Sequence, residues 1–213
     1  MDILDIHTHR IPEQPFNAIW NCMPKDESLL HRVDYCSVGI HPWYVTEANL
    51  SEQKRWVEEV VLNTPSVVAI GEAGLDKATD VPWELQLNAF EWQIEWADRL
   101  GLPLILHVVK AHNEVMEMKK KYRPRNRWIV HGFRGKRQLA EQYLREGISL
   151  SFGARYNEDA LRAIPYDKLF FETDESSESI YHIYEQAAKT LQYPYEELLA
   201  QGKRNIGKAF FNG

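Results

Sequence analysis

Short apolar runs, each closed by a polar or histidine residue, recur along the chain with longer amphipathic stretches between them. The first, Ile3-Leu4-Asp5-Ile6, reads as a buried strand and runs into His7-Thr8-His9. Pro12-Glu13-Gln14-Pro15 marks a turn, and the connection there is too short for a good helix. Phe16 to Cys22 follows as a second strand, stopped by Pro24, and Val33 to Ile40 as a third that leads into Gly39-Ile40-His41-Pro42. Thr46 to Leu62 has helical periodicity through Trp56, Val57, Val60 and Val61. Ser66 to Ile70 is a β-branched strand that runs into Gly71-Glu72-Ala73-Gly74-Leu75-Asp76.

The second half alternates more regularly. A helix from Val81-Pro82 to about Leu100 buries Leu87, Phe90, Ile94 and Ala97 and stops at Gly101. Leu102 to Leu106 is a strand ended by His107, and about Ala111 to Tyr122 is a helix. Trp128 to Val130 is a strand ended by His131, and Lys136 to Glu146 is a helix stopped by Gly147. Ile148 to Phe152, a short helix over about Asn157 to Ile164, and Leu169 to Phe171 ended by Glu172-Thr173-Asp174 come next. Helices fill the rest to Phe211. Eight strands alternating with helices predict an α/β fold, a (β/α)8 TIM-like barrel as one domain over residues 1–213. The abbreviated first two βα units predict distortion on that side.

Barrels of this kind place their chemistry at the C-terminal ends of the strands. His7, His9, Glu72, His107, His131 and Asp174 all fall there. His7 and His9, two apart on a strand, project from the same face. Each residue alone has an ordinary structural use: a hydrogen-bonded core histidine, a turn cap for Glu72, a helix cap for Asp174. Together, four imidazoles and two carboxylates can serve one or two divalent ions, of a kind (Zn, Mn, Fe, Co or Ni) that favours nitrogen more than Ca does. Glu72 can bridge two ions with its two oxygens, and Asp174 can bind one and take a proton from water. His41 ranks as a contact to substrate or to a ligand. His31, His112 and His182 fall on loops or helices and are expected to be exposed. Trp56, Trp92 and Trp96 fit packing of helices on the barrel, whereas Trp43 is placed to line the pocket mouth.

The formal net charge of −6 argues against broad non-specific nucleic-acid binding, without excluding a local basic cleft. Cys22 and Cys36, outside any Cys-x-x-Cys pattern, read as buried free thiols in a reducing compartment. No secretory pattern and no apolar stretch near the ~20 residues of a membrane span is present. The expectation is a cytoplasmic protein with no membrane association and no obligate protein partner.

These motifs, in this order, resemble the TatD family of metal-dependent hydrolases within the amidohydrolase superfamily. Asp5-Ile6-His7-Thr8-His9 resembles its D-x-H-x-H, residues 39–42 its G-x-H-P and residues 71–76 its G-E-x-G-L-D. Gln86, Phe90 and Gln93 resemble its Q-x3-F-x2-Q, residues 102–107 its L-P-x-x-x-H, residues 131–133 its H-C-F and residues 172–174 its E-T-D. The resemblance covers nearly the whole chain and implies a distorted TIM barrel with deoxyribonuclease-type activity. It implies one ion at His7, His9, Glu72 and Asp174 and another at Glu72, His107 and His131, with Zn, Mn, Mg, Ni and Co as candidates. The chain departs from the family on the substrate side. Val109 stands where the family has Arg, with Lys110 one step on. Glu175-Ser176 replaces Ser-Pro or Ala-Pro, and the Arg- and Pro-rich stretch beyond it is missing. The leading expectation is hydrolysis of a phosphoester, nucleic acid or small molecule, by a metal-activated water. The alternative is an amidohydrolase cleaving a C–N or carboxylic ester bond.

Overall fold

The computed structural model describes residues 2–211, so Met1, Asn212 and Gly213, at the ends of the expected domain, lie outside the described residues. Eight strands form one parallel sheet in sequence order: β1 (Asp5–Thr8), β2 (Ala18–Cys22), β3 (Cys36–Val38), β4 (Val67–Asp76), β5 (Leu104–Val109), β6 (Trp128–Val130), β7 (Ile148–Phe152) and β8 (Leu169–Phe171). Helices α1 (Leu50–Asn63), α2 (Trp83–Leu100), α3 (His112–Tyr122), α4 (Arg137–Arg145), α5 (Glu158–Arg162), α6 (Ile180–Leu191) and α7 (Tyr195–Phe210) follow β3 onward. Before them, β1 leads to β2 through turns and bends, and a 3-10 helix over Pro24–Arg32 lies between β2 and β3. That 3-10 helix buries no residue fully, although Leu29 and Leu30 pack against the core.

Two strands, β4 and β5, run past their expected ends, β5 as far as Val109. β4 continues past Ile70 through Asp76, because its second half still pairs with β5, Gly74 opposite His107 and Asp76 opposite Val109. Backbone pairing carries a strand through polar residues when a neighbour lies alongside. Gly74, at φ 139°, passes so close to the His107 carbonyl that a Cβ would collide with it. In contrast, β3 shrinks from the expected Val33–Ile40 to Cys36–Val38.

The core has two parts. One lies between sheet and helices, around Phe90, Trp128, Tyr143 and Phe152. The other fills the barrel with Ile3, Ile6, Ile19, Ile105, Ile129 and Phe170, joined by Ile206 and Phe210 of α7. Strand alternation then sets the site. Ile105 and His107, Ile129 and His131, and Phe170 and Glu172 are two apart, so each apolar filler carries a polar group one layer nearer the mouth. The sheet closes through a single parallel bridge of Thr8 with Asp174. There Asp174 N donates to the His7 carbonyl (2.9 Å) and His9 N to the Asp174 carbonyl (3.2 Å).

Candidate metal centre

All six expected ligands converge at the mouth, around Glu72, which is 4% exposed. Its two oxygens face different partners. Glu72 Oε2 lies 3.5 Å from His7 Nε2 and 3.3 Å from His9 Nε2. Glu72 Oε1 lies 2.8 Å from His107 Nδ1, 2.7 Å from His131 Nε2 and 3.2 Å from His41 Nε2. Asp174 Oδ1 is on the first side, 3.9 Å from His7 Nε2 and 3.5 Å from His9 Nε2. Three triplets could each hold an ion: His7, His9 and Glu72; His41, Glu72 and His107; and His7, His131 and Asp174. The last triplet gives His131 a choice of side that the spacing of motifs does not contain.

The hydrogen bonds behind the imidazoles decide what the inner nitrogens can do. His107 Nε2 is 3.0 Å from Asp76 Oδ2, and His131 Nδ1 is 3.2 Å from Glu172 Oε1. Protons held on these outer nitrogens leave His107 Nδ1 and His131 Nε2 as lone pairs aimed at a carboxylate oxygen. Acceptors facing acceptors at under 3 Å need either a shared proton or a metal ion bound to both. His7 makes the same point, since neither of its buried ring nitrogens has a hydrogen-bond partner. The residues therefore fit divalent ions, with N and O donors, a central carboxylate and an outer carboxylate behind two of the histidines.

In the absence of an ion, protons carry that charge. Burial pulls His131 down, but the charges of Glu72 and Glu172 outweigh it and raise its pKa well above the ordinary histidine value. Burial pushes Glu72 up, yet the His131 charge and the His107, His131 and His41 hydrogen bonds hold it well below the usual carboxylate value. Burial lowers His9 less than Glu72 and Asp174 raise it, so its pKa rises. His41 goes the other way: burial lowers it, and Glu72 does not make up the loss. The Trp43 backbone N–H donates to His41 Nδ1 (3.1 Å), so neutral His41 carries its proton on Nε2 and offers it to Glu72.

Several positions come from residues that the sequence reading left without a role. Asn21 Oδ1 accepts from Glu72 N (3.0 Å) and Ser37 Oγ (3.3 Å), fixing the backbone under the central carboxylate. Gln93 brackets Ile40, accepting from its N–H (2.7 Å) and donating to its carbonyl (3.1 Å). Gln86 does the same for Asp76, at 2.8 and 3.0 Å. The two glutamines, seven apart on α2, thus pin the loop of His41 and the end of β4. A polar residue inside a buried strand, as Asn21 is, was the available signal.

Lys110 is exposed at the rim and lines a cavity of about 440 Å³ together with Trp43, His107, His131 and Asp174. It approaches none of the ligand groups by hydrogen bond among the described residues. His31 and His182 are exposed as expected, but His112 is half-buried, with Nδ1 2.8 Å from the Tyr143 hydroxyl. That hydroxyl satisfies the ring as α3 begins, which sequence spacing does not reveal.

The family model for TatD-related DNases matches residues 25–211. The chain belongs to this family. An uncharacterized metal-dependent hydrolase of Escherichia coli, YjjV, is 31% identical over 66% of the chain and 57% of its own length. A 3′-5′ ssDNA/RNA exonuclease TatD of Erwinia billingiae is 33% identical over 67% of the chain and 59% of its own. The chain therefore aligns with somewhat under two thirds of the length of these two relatives. The crystal structure of the YjjV TatD homologue superimposes with a TM-score of 0.83 at 21% identity, covering 98% of both chains, which shows the shared fold. The eight parallel strands match the barrel of that fold. No helix among the described residues is long and apolar enough to cross a membrane.

Proposed function

We propose that the chain, acting as one catalytic domain, hydrolyses phosphoesters, foremost the phosphodiesters of single-stranded nucleic acid. The observation that carries this reading is the division of Glu72, one oxygen toward His7 and His9 and the other toward His107, His131 and His41. A carboxylate so placed suits two ions sharing one reaction, as in-line displacement at phosphorus uses them. His7, His9, Glu72 and Asp174 would hold one ion and Glu72, His107 and His131 the other. When bound, the ions acidify a water and offset the negative charge that builds on the phosphoryl oxygens. Zn, Mn, Co, Ni and Mg are the candidate ions.

The chain's own groups do the rest. Asp174 takes the proton of the attacking water. Its backbone is tied on both sides to β1, and its side chain is 29% exposed, so water reaches it. His41 offers its Nε2 proton to Glu72 and orients it. Lys110 draws a substrate phosphate to the rim. The relative named as a 3′-5′ ssDNA/RNA exonuclease supports nucleic acid as the first substrate to test. A second reading, cleavage of a C–N or carboxylic ester bond, draws support from the uncharged Val108 and Val109 in the cavity wall. Cys22 and Cys36 are free and buried, which fits the cytoplasm as the compartment we propose.

Purified protein with Mn or Zn is to be tested on phosphodiester, phosphomonoester, lactone and amide substrates. Metal-dependent release from a single-stranded oligonucleotide is the expected result. Turnover of only the lactone or amide would move the reading to the second class.

A further inference from the structure

Trp43 is left unused by the chemistry proposed above, yet it is held with unusual care for a residue that is 49% exposed. Its indole N–H donates to Asp76 Oδ2 at 2.6 Å, and its backbone N–H donates to His41 Nδ1 at 3.1 Å. Its ring centroid lies 4.9 Å from that of His41 and 5.3 Å from that of His107. The ring borders two cavities, one of about 440 Å³ with Lys110 and one of about 290 Å³ with Lys25, and both also reach His107, His131 and Asp174. Tyr44, 53% exposed, stands beside it with centroids 6.4 Å apart. Trp56, Trp92 and Trp96, by contrast, pack against the core.

A large aromatic surface left in water and fixed in direction loses little freedom when something flat covers it. What covers it must sit beside a centre that cleaves esters and next to lysines that attract anions. A nucleotide has this shape, with a planar base one sugar away from its phosphate. We propose that Trp43 is a stacking platform for the nucleobase adjacent to the scissile phosphoester. This rests on the phosphoester reading and narrows it: the enzyme selects substrates that carry a planar ring at that position and discriminates against ring-less esters. Because stacking accepts any base, the preference is for a base and not for a sequence.

The test measures binding, by calorimetry, of deoxythymidine 5′-monophosphate and of deoxyribose 5-phosphate, both to chelator-treated and to Mn-loaded protein. The wild type should bind the nucleotide roughly 5–150-fold more tightly than the sugar phosphate, the range for one stacked base. Trp43→Phe keeps a ring and loses the indole N–H, so it should keep most of that ratio. Trp43→Leu should bring the ratio close to one. Equal binding of the two ligands by wild type overturns the proposal, as does an unchanged ratio in Trp43→Leu. A Trp43→Phe variant as impaired as Trp43→Leu would mean that Trp43 acts only by holding Asp76, and would also overturn it. If Trp43→Leu fails to fold, the nucleotide should quench wild-type fluorescence more than that of Trp43→Phe, and equal quenching refutes stacking. Failure of the phosphoester reading shows separately, as absence of phosphoester hydrolysis while the base-dependent ratio persists.

Discussion

Replacing Glu172 by Gln should weaken metal binding about tenfold while leaving the reaction itself nearly intact. Glu172 is fully buried, and its Oε1 accepts from His131 Nδ1 (3.2 Å) and from the Gly132 backbone N–H. The Gly132 N–H needs an acceptor, so the glutamine carbonyl stays on the His131 side and the tautomer of His131 is preserved. What is lost is charge. A hydrogen bond to an ionised group is worth about 1–1.5 kcal/mol more than a neutral one, which is about a factor of ten in affinity. Glu172→Ala removes the acceptor altogether and should approach the ~100-fold end of the range for partners behind metal ligands. Competition with a chromophoric chelator for Mn or Zn at fixed pH reads the affinity. A parallel assay gives kcat at saturating metal, which should return to within a few-fold of wild type. Unchanged affinity in Glu172→Ala, or a turnover defect that saturating metal does not repair, would refute the idea that Glu172 works by orienting and charging His131.

Glu72→Ala should remove both ions and cost more activity than His131→Ala, and metal analysis of the two proteins checks the difference; similar, small losses would contradict the shared-carboxylate geometry. Asp174→Asn should lower turnover by about 10²–10⁴ at saturating metal, with metal content falling much less, and full rescue by added metal would make Asp174 a ligand alone. Asp5 provides a pH test on chelator-treated protein. Burial, opposed by the Thr173 and His7 hydrogen bonds, raises its pKa from 3.8 to about 7. The folded state therefore holds a proton that the unfolded chain releases, so this contribution to stability is complete below about pH 4 and is lost as pH rises to about 7. Asp5→Asn should lose less stability than wild type between these limits, and parallel denaturant midpoints for the two proteins would rule the effect out.

The parts of the molecule that were legible from sequence are those in which one local signal has one structural meaning. Apolar runs gave the eight strands, and ligand-type residues at their ends gave six members of the central cluster, which His41 also joins. The continuation of β4 to Asp76 was hidden, because Glu72 and Gly74 interrupt the apolar pattern and only pairing with β5 keeps the strand going. The residues behind the ligands were hidden for a related reason. Asn21, Asp76 and Glu172 act on histidines or backbone brought near by the barrel and not by the chain, as the 41-residue separation of His131 from Glu172 illustrates. His41, expected to contact substrate or a ligand, stands in a triplet with Glu72 and His107, and what fixes its tautomer, the backbone N–H two residues on, is a matter of loop geometry.

The place where the sheet closes has a bearing on how the barrel is held shut. β1 meets the segment that follows β8 at Thr8 and Asp174, so the junction that closes the barrel adjoins His7, His9 and Asp174, which would hold the first ion. His7 and His9 precede Asp174 by more than 160 residues. An ion bound across the junction would act as a clasp, drawing the first strand to the last. Metal supply would then govern not only turnover but also how often this junction breathes, and amide exchange at His9 and Asp174 would register each opening.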